Sequence, residues 1–291
     1  MYELIQAYGN SYYIESPAKI GLVRINESEV CLIDSGSDKD AGRKVRQILD
    51  SNGWKLRAIY NTHSNADHIG GNSYLQKQTG CRIFSQGIEC SFTRHPILEP
   101  SFLYGGYPAK DLRHKFLMAA ESDAEYLRPD SLPESMSIIP LPGHFFDMIG
   151  FRTSDDVVYL ADSLSSVETL EKYAITFIYD VGEYLKTLEA LKNMKARLFI
   201  PSHAAATDDI APLAEYNIKK VNEVAERILD SCEMVSSDEV IARVFRSYGL
   251  TINIQQYVLV GSTVRSYLSW LKERGDVETV ASDGMILWKR V

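Results

Sequence analysis

The amino-acid sequence predicts an α/β layered fold followed by a small C-terminal helical unit. Over the first two thirds of the chain, short apolar runs alternate with segments of helical periodicity, and after about residue 207 the pattern changes to successive helices. Of the 291 residues, 45% are apolar and 24% are charged, which is typical of a soluble globular protein. A chain of this length forms one large domain or two unequal ones.

The predicted strands are apolar runs, rich in β-branched or aromatic residues, that end abruptly in small or polar residues. Such runs are typical of strands buried on both faces. They cover residues 30–34, 58–61, 138–141, 157–161 and 198–200. Helices are predicted between them over residues 41–52, 71–79 and 181–194, and Gly53 and Gly80 stop the first two. Alternating strands and helices indicate the α/β class.

Residues 91–137 break this alternation and are predicted to be an insertion that covers a pocket. The segment contains five prolines and the aromatic run of residues 102–107. Tyr104 and Tyr107 flank two glycines there, and we expect them to line a substrate pocket or else to pack the insertion onto the body. His95 and His114 also lie in this segment, and we interpret them as ordinary surface histidines.

The C-terminal unit has the element order of a winged helix. Helices are predicted over residues 211–230, 238–248 and 260–274, followed by a hairpin that turns at residues 283–284. We therefore divide the chain into domains 1–207 and 211–291. The second domain carries 10 basic and 11 acidic side chains, unlike a DNA-binding module. We interpret it as an element for homodimer formation or for completing the pocket, with a metabolite-sensing DNA-binding regulator as the non-enzymatic alternative.

Five candidate ligands follow the predicted strands within a few residues. They are His63, His68, His144, Asp162 and His203. Ligand sites of α/β folds lie at such strand ends, because the sheet fixes the positions while the following loops leave the side chains accessible. A mixed set of imidazole and carboxylate donors suits Zn²⁺, and Fe or Mn are also compatible with it.

The segment around the first two of these histidines resembles the signature of the metallo-β-lactamase superfamily, H-x-H-x-D-H. It reads His63-Ser64-Asn65-Ala66-Asp67-His68. The later motifs of the superfamily are matched in order by Asp34-Ser-Gly36, Leu141-Pro-Gly-His144, Leu160-Ala-Asp162 and Pro201-Ser-His203. The resemblance covers about residues 1–207. It implies an αββα sandwich with the active site along the edges of two sheets.

Carried over to this chain, the resemblance implies two metal positions. His63 and His144 would belong to the first position, Asp67, His68 and His203 to the second, and Asp162 would bridge both. Asn65 stands where the superfamily usually has a further histidine for the first metal. Its amide would either be a weaker oxygen ligand or hydrogen-bond to a neighbouring ligand, so that one or two ions are expected.

The leading functional hypothesis is metal-dependent hydrolysis of a small ester, thioester or lactone. Metal ions lower the pKa of a bound water to roughly 7 and supply hydroxide, and the superfamily is rich in such hydrolases, including glyoxalase II. With a single ion, Asp67 would orient the water or shuttle its proton. A nuclease or phosphodiesterase is the second enzymatic hypothesis, although the net charge of −8 disfavours nucleic acid. A metal-binding scaffold without catalysis is a further alternative.

We expect a cytoplasmic protein without a membrane partner. The opening residues lack the basic start and apolar run of a signal peptide, and no stretch is long and apolar enough to cross a membrane. The four cysteines are scattered, which favours free thiols in a reducing compartment.

Overall fold

A seven-stranded sheet forms the first half of the molecule in the computed structural model, which describes residues 2–291. Its strands follow one another in chain order: β1 (Glu3–Tyr8), β2 (Ser11–Glu15), β3 (Ile20–Arg24), β4 (Glu29–Ile33), β5 (Lys55–Asn61), β6 (Arg82–Ser85) and β7 (Ala124–Tyr126). Strands β1 to β4 are antiparallel, and β4 to β7 are parallel. The parallel strands are joined by longer connections that contain helices, as parallel pairing requires.

A second sheet contains four strands in the order β11-β10-β9-β8. They are β8 (Met136–Pro140), β9 (Ile149–Thr153), β10 (Val157–Ala161) and β11 (Leu198–Pro201). Only the pair of β10 and β11 is parallel in this sheet. The two sheets pack face to face, and Cys31, Ile33 and Tyr60 of the first are buried in one apolar cluster with Phe151 and Tyr159 of the second.

Helices cover the outer face of each sheet. In chain order they are α1 (Lys39–Ser51), α2 (Ala66–Ile69), α3 (Asn72–Thr79), α4 (Glu89–Arg94), α5 (Leu98–Tyr104), α6 (Val167–Tyr173), α7 (Val181–Asn193), α8 (Ala211–Ser231), α9 (Ser237–Ser247) and α10 (Ile254–Arg274). Val45 and Leu49 of α1 and Leu75 of α3 pack on the first sheet, and Leu188 of α7 packs on the second. The layers are therefore helix, sheet, sheet, helix, and the predicted α/β layered fold is confirmed.

The C-terminal segment continues the apolar core of the second sheet. Buried side chains run without a break from Leu160 of β10 through Leu188 of α7 to Ile228 of α8 and Val264 of α10. A third sheet, with the strand order β12-β14-β13, closes this end of the molecule; its strands are β12 (Glu233–Ser236), β13 (Val277–Ser282) and β14 (Met285–Arg290). The predicted hairpin turning at residues 283–284 is confirmed.

The insertion packs against the last long helix. Leu103, Leu112 and Leu117 of the insertion form an apolar cluster with Val258 of α10. This helix begins at Ile254, six residues before the predicted start, because the Asn253 side chain caps it by accepting a hydrogen bond from the Gln256 backbone N–H at 2.9 Å. The insertion thereby joins the C-terminal segment to the body of the fold.

Several strands were not predicted, because polar residues or glycine interrupt their apolar runs. Strand β1 lies at the sheet edge with Glu3 and Gln6 among its residues, and β9 contains Gly150 and Arg152. These positions interrupt the apolar run that marks a fully buried strand.

All four cysteines are free and buried. Among the described helices, none combines the length and apolar character that crossing a membrane requires.

Candidate metal centre

The candidate ligands lie together at one edge of the two packed sheets. His63 lies two residues after the end of β5, Asp162 directly follows β10, and His203 lies two residues after β11. His144 lies in the loop between β8 and β9. Because each side chain stands at or near the end of a buried strand, the core of the sandwich fixes the positions of the whole set.

Two close backbone contacts hold the loops that carry these ligands. A Cβ atom on Gly71 would lie 2.3 Å from the Ser35 carbonyl oxygen, so only glycine lets α2 approach the loop after β4. Gly143 has φ +117°, and a Cβ there would lie 2.2 Å from the backbone nitrogen of Tyr184 at the start of α7. The residues before His144 are thereby packed directly onto α7.

The second metal position is formed by Asp67, His68, Asp162 and His203. Their ligand atoms all lie within 4.8 Å of one another. His203 Nε2 is 3.2 Å from Asp67 Oδ2 and 3.3 Å from Asp162 Oδ2, and His68 Nε2 is 3.1 Å from Asp162 Oδ1. Atoms that share a tetrahedral zinc ion at about 2.0–2.1 Å are separated by about 3.3 Å. These three contacts therefore already have the spacing of one coordination shell, and the contact of His68 Nε2 with Asp67 Oδ2 is longer, at 3.8 Å.

The first position brings together His63, His144 and Asp162, again with ligand atoms within 4.8 Å of one another. Asp162 belongs to both groups, as a bridging carboxylate does. The carboxamide of Asn65 also reaches this position, because its Oδ1 lies 3.1 Å from His144 Nε2. The structure thus brings together every residue that the sequence suggested as a metal ligand.

Each of the four histidines has its outer ring nitrogen held by an oxygen atom. The Nδ1 partners are Thr62 Oγ1 at 3.0 Å for His63, Asp34 Oδ2 at 2.8 Å for His68, the Phe177 carbonyl at 3.1 Å for His144 and the Pro17 carbonyl at 3.0 Å for His203. The Thr62 hydroxyl donates to Asp34 at 2.7 Å and is therefore free to accept from His63. When Nδ1 carries the proton, the lone pair of Nε2 faces the centre, which is how metal-binding histidines are oriented.

The electrostatics of the two positions differ. At the second position burial opposes the charged form, yet the carboxylates of Asp162 and Asp67 raise the pKa of His203 to about 10 and, with Asp34, raise the pKa of His68 well above its usual range. At the first position burial and the neighbouring imidazole of His68 hold the pKa of His63 well below its usual range. Burial also lowers the pKa of His144. The second position therefore favours a positive charge, whereas the first provides the neutral imidazoles of His63 and His144 as nitrogen donors.

Three buried polar atoms at the centre have no hydrogen-bond partner. They are His63 Nε2, His68 Nε2 and Asp162 Oδ1, of which the last two lie 3.1 Å apart without the geometry of a hydrogen bond. Burial opposes ionisation of Asp162, but His203 and His68 lower its pKa well below the usual range, so its carboxylate is charged. Leaving such atoms unsatisfied is costly, and a cation bound between them would satisfy all three. The donor set thus fits one or two divalent metal ions.

A pocket of about 450 Å³ opens over this centre. The insertion contributes Glu99, Leu103 and Leu117 to its walls. Helix α10 closes another side with Leu259 and Thr263. The insertion therefore covers a pocket, as expected, and the C-terminal segment completes it, which is one of the two roles considered for that segment.

The expectation for Tyr104 and Tyr107 requires correction, because neither lines this pocket. Tyr104 borders a separate surface concavity beside Trp270. Tyr107 is 75% exposed and accepts a hydrogen bond from Arg113 at 2.8 Å. Leu103 of α5 is directed inward, whereas Tyr104 at the end of this helix and Tyr107 after it are exposed. His95 and His114 belong to neither group of candidate ligands.

Two buried glutamates of the α4–α5 region support the centre and were not identified from the sequence. Glu89 accepts hydrogen bonds from the Ser64 backbone and hydroxyl, at 3.0 and 2.5 Å, and from the Asp147 backbone at 2.9 Å. It thereby ties the loop of His63 to the loop of His144. Burial raises the pKa of Glu89 to about 7. No spacing rule relates a glutamate at the start of α4 to a motif about 25 residues earlier.

Glu99 is the second of these glutamates and lies at the pocket wall. Only 5% of its surface is exposed, and its Oε1 accepts a hydrogen bond from Asn65 Nδ2 at 2.8 Å. Burial raises the pKa of Glu99 well above its usual range, although the Asn65 amide favours the charged form. The buried carboxyl group of Glu99 thus binds Asn65, the one unusual residue of the motif.

The chain is similar in sequence to one known family and to several named hydrolases. The profile of the Metallo-beta-lactamase superfamily matches residues 8–203. A hydroxyacylglutathione hydrolase of Methylococcus capsulatus is 31% identical over 121 residues, which are 41% of this chain and 38% of that protein. Another from a Bradyrhizobium species is 48% identical over 130 residues, covering 44% and 41%. The chain thus spans about two fifths of the length of these relatives.

Among solved structures, a metallo-beta-lactamase family protein of Thermus thermophilus is similar to this chain in fold. The two align with a TM-score of 0.72 at 16% sequence identity, over 100% of this chain and 98% of the other. The similarity therefore includes the C-terminal helices as well as the sandwich.

Proposed function

The chain belongs to the metallo-beta-lactamase superfamily, and we propose from this premise that it is a metal-dependent hydrolase of small thioesters. The observation that carries the proposal is the convergence of the Nε2 atoms of four histidines and of two carboxyl groups on two adjacent positions. The relatives named hydroxyacylglutathione hydrolase, whose substrates are thioesters, favour this substrate class over simple esters and lactones.

The proposed cofactor is a pair of Zn²⁺ ions, and iron or manganese would be compatible with the same donors. Asp67, His68, His203 and Asp162 would hold one ion, and His63, His144, Asp162 and Asn65 the other. Bound ions supply Lewis acidity that activates water and polarises a carbonyl group.

The side chains of the protein orient the reactants. Asp67 borders the pocket and turns its Oδ2 toward His203, which leaves its Oδ1 to accept a proton from the attacking water. Leu103, Leu117 and Leu259 form apolar walls that would exclude water from the acyl chain of a substrate. Tyr184 is 2% exposed at the pocket wall, and burial raises the pKa of its phenol, which keeps it protonated as a hydrogen-bond donor at neutral pH.

We assign residues 1–207 to a catalytic domain with an insertion at 91–137 and residues 211–291 to a winged-helix-like domain that completes the pocket. The latter proposal is supported by the order of α8, β12, α9, α10 and the final hairpin. Val260 and Val264 of α10 are buried in the core shared with α7, and Leu259 and Thr263 line the pocket, which supports a pocket-completing role for this helix. A small-molecule substrate, a homodimer and a cytoplasmic location remain our predictions.

The experiment is a metal analysis combined with a substrate panel. Purified protein is assayed for bound metal and for hydrolysis of a hydroxyacylglutathione thioester, a short acyl thioester, an aryl ester, a lactone and an aryl phosphodiester. We expect bound metal and the highest kcat/KM with a thioester. His68→Ala should lose the second ion and the activity, whereas the exposed His95 of the insertion serves as a matched control and His95→Ala should retain both.

Two outcomes would reject the proposal. Full hydrolysis by His68→Ala would show that the reaction does not use this centre. A clear preference for the phosphodiester would replace thioester hydrolysis with the nuclease hypothesis.

A further inference from the structure

Asn65 is the residue that departs from the superfamily motif, and its side chain does not play the role that its position suggests. It stands immediately before α2, where asparagine commonly caps a helix by accepting a backbone hydrogen bond. Its side chain makes no such cap bond. Instead, Nδ2 donates to Glu99 Oε1 at 2.8 Å and Oδ1 lies 3.1 Å from His144 Nε2. The carboxamide is therefore directed toward the first metal position.

The contact between Asn65 Oδ1 and His144 Nε2 joins two atoms that both act as acceptors. His144 Nδ1 is held by the Phe177 carbonyl, which only accepts, so the proton of the neutral ring lies on Nδ1. His144 Nε2 then carries a lone pair. Asn65 Oδ1 is also an acceptor, because the amide nitrogen is directed to the carboxylate of Glu99. Two acceptors 3.1 Å apart repel each other unless a cation lies beside both.

A similar arrangement recurs at the four histidines of the centre. In each, the ring nitrogen remote from the centre is held by an oxygen atom, and the other ring nitrogen faces the centre. Glu99 accepts a hydrogen bond from the outer nitrogen of Asn65, just as Asp34 accepts one from the outer nitrogen of His68. Asn65 thus follows the pattern of its neighbours, with oxygen in place of nitrogen as the inner atom.

We propose that Glu99 is the positioning residue that holds the Asn65 carboxamide with its oxygen toward the first metal position, so that this position has two nitrogen and two oxygen donors. The proposal rests on the metal centre of the proposed function and deepens it. A carboxamide alone is a weak ligand that turns freely, and the buried hydrogen bond to Glu99 removes that freedom. The Glu99 oxygen that accepts this hydrogen bond also polarises the amide and so strengthens the amide oxygen as a donor.

The test is a double-mutant cycle of metal affinity. Metal-free protein is titrated with Co²⁺ alone, and the two dissociation constants are obtained from the visible absorption of the bound ion and from equilibrium dialysis. The variants are Glu99→Ala, Glu99→Gln, Asn65→Ala and the double variant Asn65→Ala/Glu99→Ala. Glu121→Ala is the matched control, because Glu121 lies in the same insertion and is exposed.

We expect wild type to bind two Co²⁺ ions per chain. Glu99→Ala should weaken one of the two ions about 10- to 100-fold and leave the other within about twofold. Asn65→Ala should affect the same ion, and the double variant should bind it no more weakly than Asn65→Ala, because Glu99 acts through Asn65. Glu99→Gln retains an acceptor oxygen and should recover most of the affinity. Glu121→Ala should behave as wild type.

Three results would overturn the role of Glu99. They are an unchanged affinity in Glu99→Ala, a further loss when Glu99→Ala is added to Asn65→Ala, and a Glu99→Gln variant as weak as Glu99→Ala. Retention of the other ion with an unchanged spectrum shows that the variant is folded. A wild-type protein that binds no Co²⁺ would instead contradict the proposed function, so the two failures are distinguishable.

Discussion

The two metal positions share Asp162 but obtain their favourable electrostatics from different parts of the chain. At the second position, Asp67 and Asp34 raise the pKa of His68 and so favour positive charge there. Both residues belong to motifs near the amino terminus. At the first position, burial lowers the pKa values of His63 and His144, and the oxygen of Asn65 is oriented by Glu99 of the insertion. We therefore expect the second position to bind its ion more tightly, and the first to depend on a segment outside the motifs.

The largest effect should follow from removing the residue that the two positions share. Asp162→Ala deletes the carboxylate that contacts His68, His144 and His203, so both ions should be lost. We expect kcat/KM to fall on the order of 10³-fold or more, corresponding to several kcal/mol of lost stabilisation. Metal content and thioester hydrolysis measure the change, with the exposed Asp208→Ala as control. If Asp162→Ala retained one full equivalent of metal, Asp162 would be essential at only one of the two positions.

Glu89→Ala should next test how far the first position depends on helix α4. Three hydrogen bonds would be lost from Ser64 and Asp147, which join the loops of His63 and His144. The folded state raises the pKa of Glu89 to about 7, so between about pH 4.5 and 7 the native protein holds a proton that the unfolded chain releases. The contribution of Glu89 to the free energy of unfolding is therefore greatest at low pH and decreases as pH rises through this interval.

For metal-free protein we expect Glu89→Ala to lose about 3 kcal/mol near pH 5 and much less near pH 8, from a pKa difference of about 2.5. Urea unfolding of both proteins at a series of pH values measures this difference. An equal loss at every pH would mean that Glu89 has an ordinary pKa in the folded protein.

Asp34→Ala should have a smaller effect, centred on the second position. Asp34 accepts hydrogen bonds from His68 and Thr62, and loss of the first would free the imidazole to rotate. We expect the affinity for the second ion to fall about 10- to 100-fold. Thr62 in turn contacts His63, so a weaker effect on the first ion should accompany it. Titration with Co²⁺ gives both constants, and a loss confined to the first ion would reverse our assignment of the two positions.

The ligands could be predicted from the sequence because they follow buried strands, whose apolar runs are easy to recognise. His63, Asp162 and His203 come directly after runs that are buried on both faces, and local order places them at one sheet edge. Glu99 could not be found in this way. It lies 34 residues from Asn65 in a segment without periodicity, and only the folded chain brings the two side chains together.

The aromatic residues of the insertion illustrate the same limit. Tyr104 and Tyr107 beside two glycines are compatible both with a pocket wall and with an exposed turn, and the sequence does not distinguish these arrangements. In the structure the packing of Leu103 and Leu117 on α10 decides which side faces inward. Contacts between segments more than 100 residues apart leave no local pattern in the sequence.

The pocket wall formed by α10 should give the smallest effect, because it is remote from both metal positions in the chain and contributes only apolar contact. Leu259→Ala removes part of this wall. We expect KM for the best thioester to rise about fivefold, equivalent to about 1 kcal/mol of apolar burial, with kcat and metal content unchanged. Ile252→Ala, an exposed position just before the same helix, should leave KM unchanged. If Leu259→Ala also leaves KM unchanged, α10 closes the pocket without touching the substrate, and substrate binding would depend on the insertion alone.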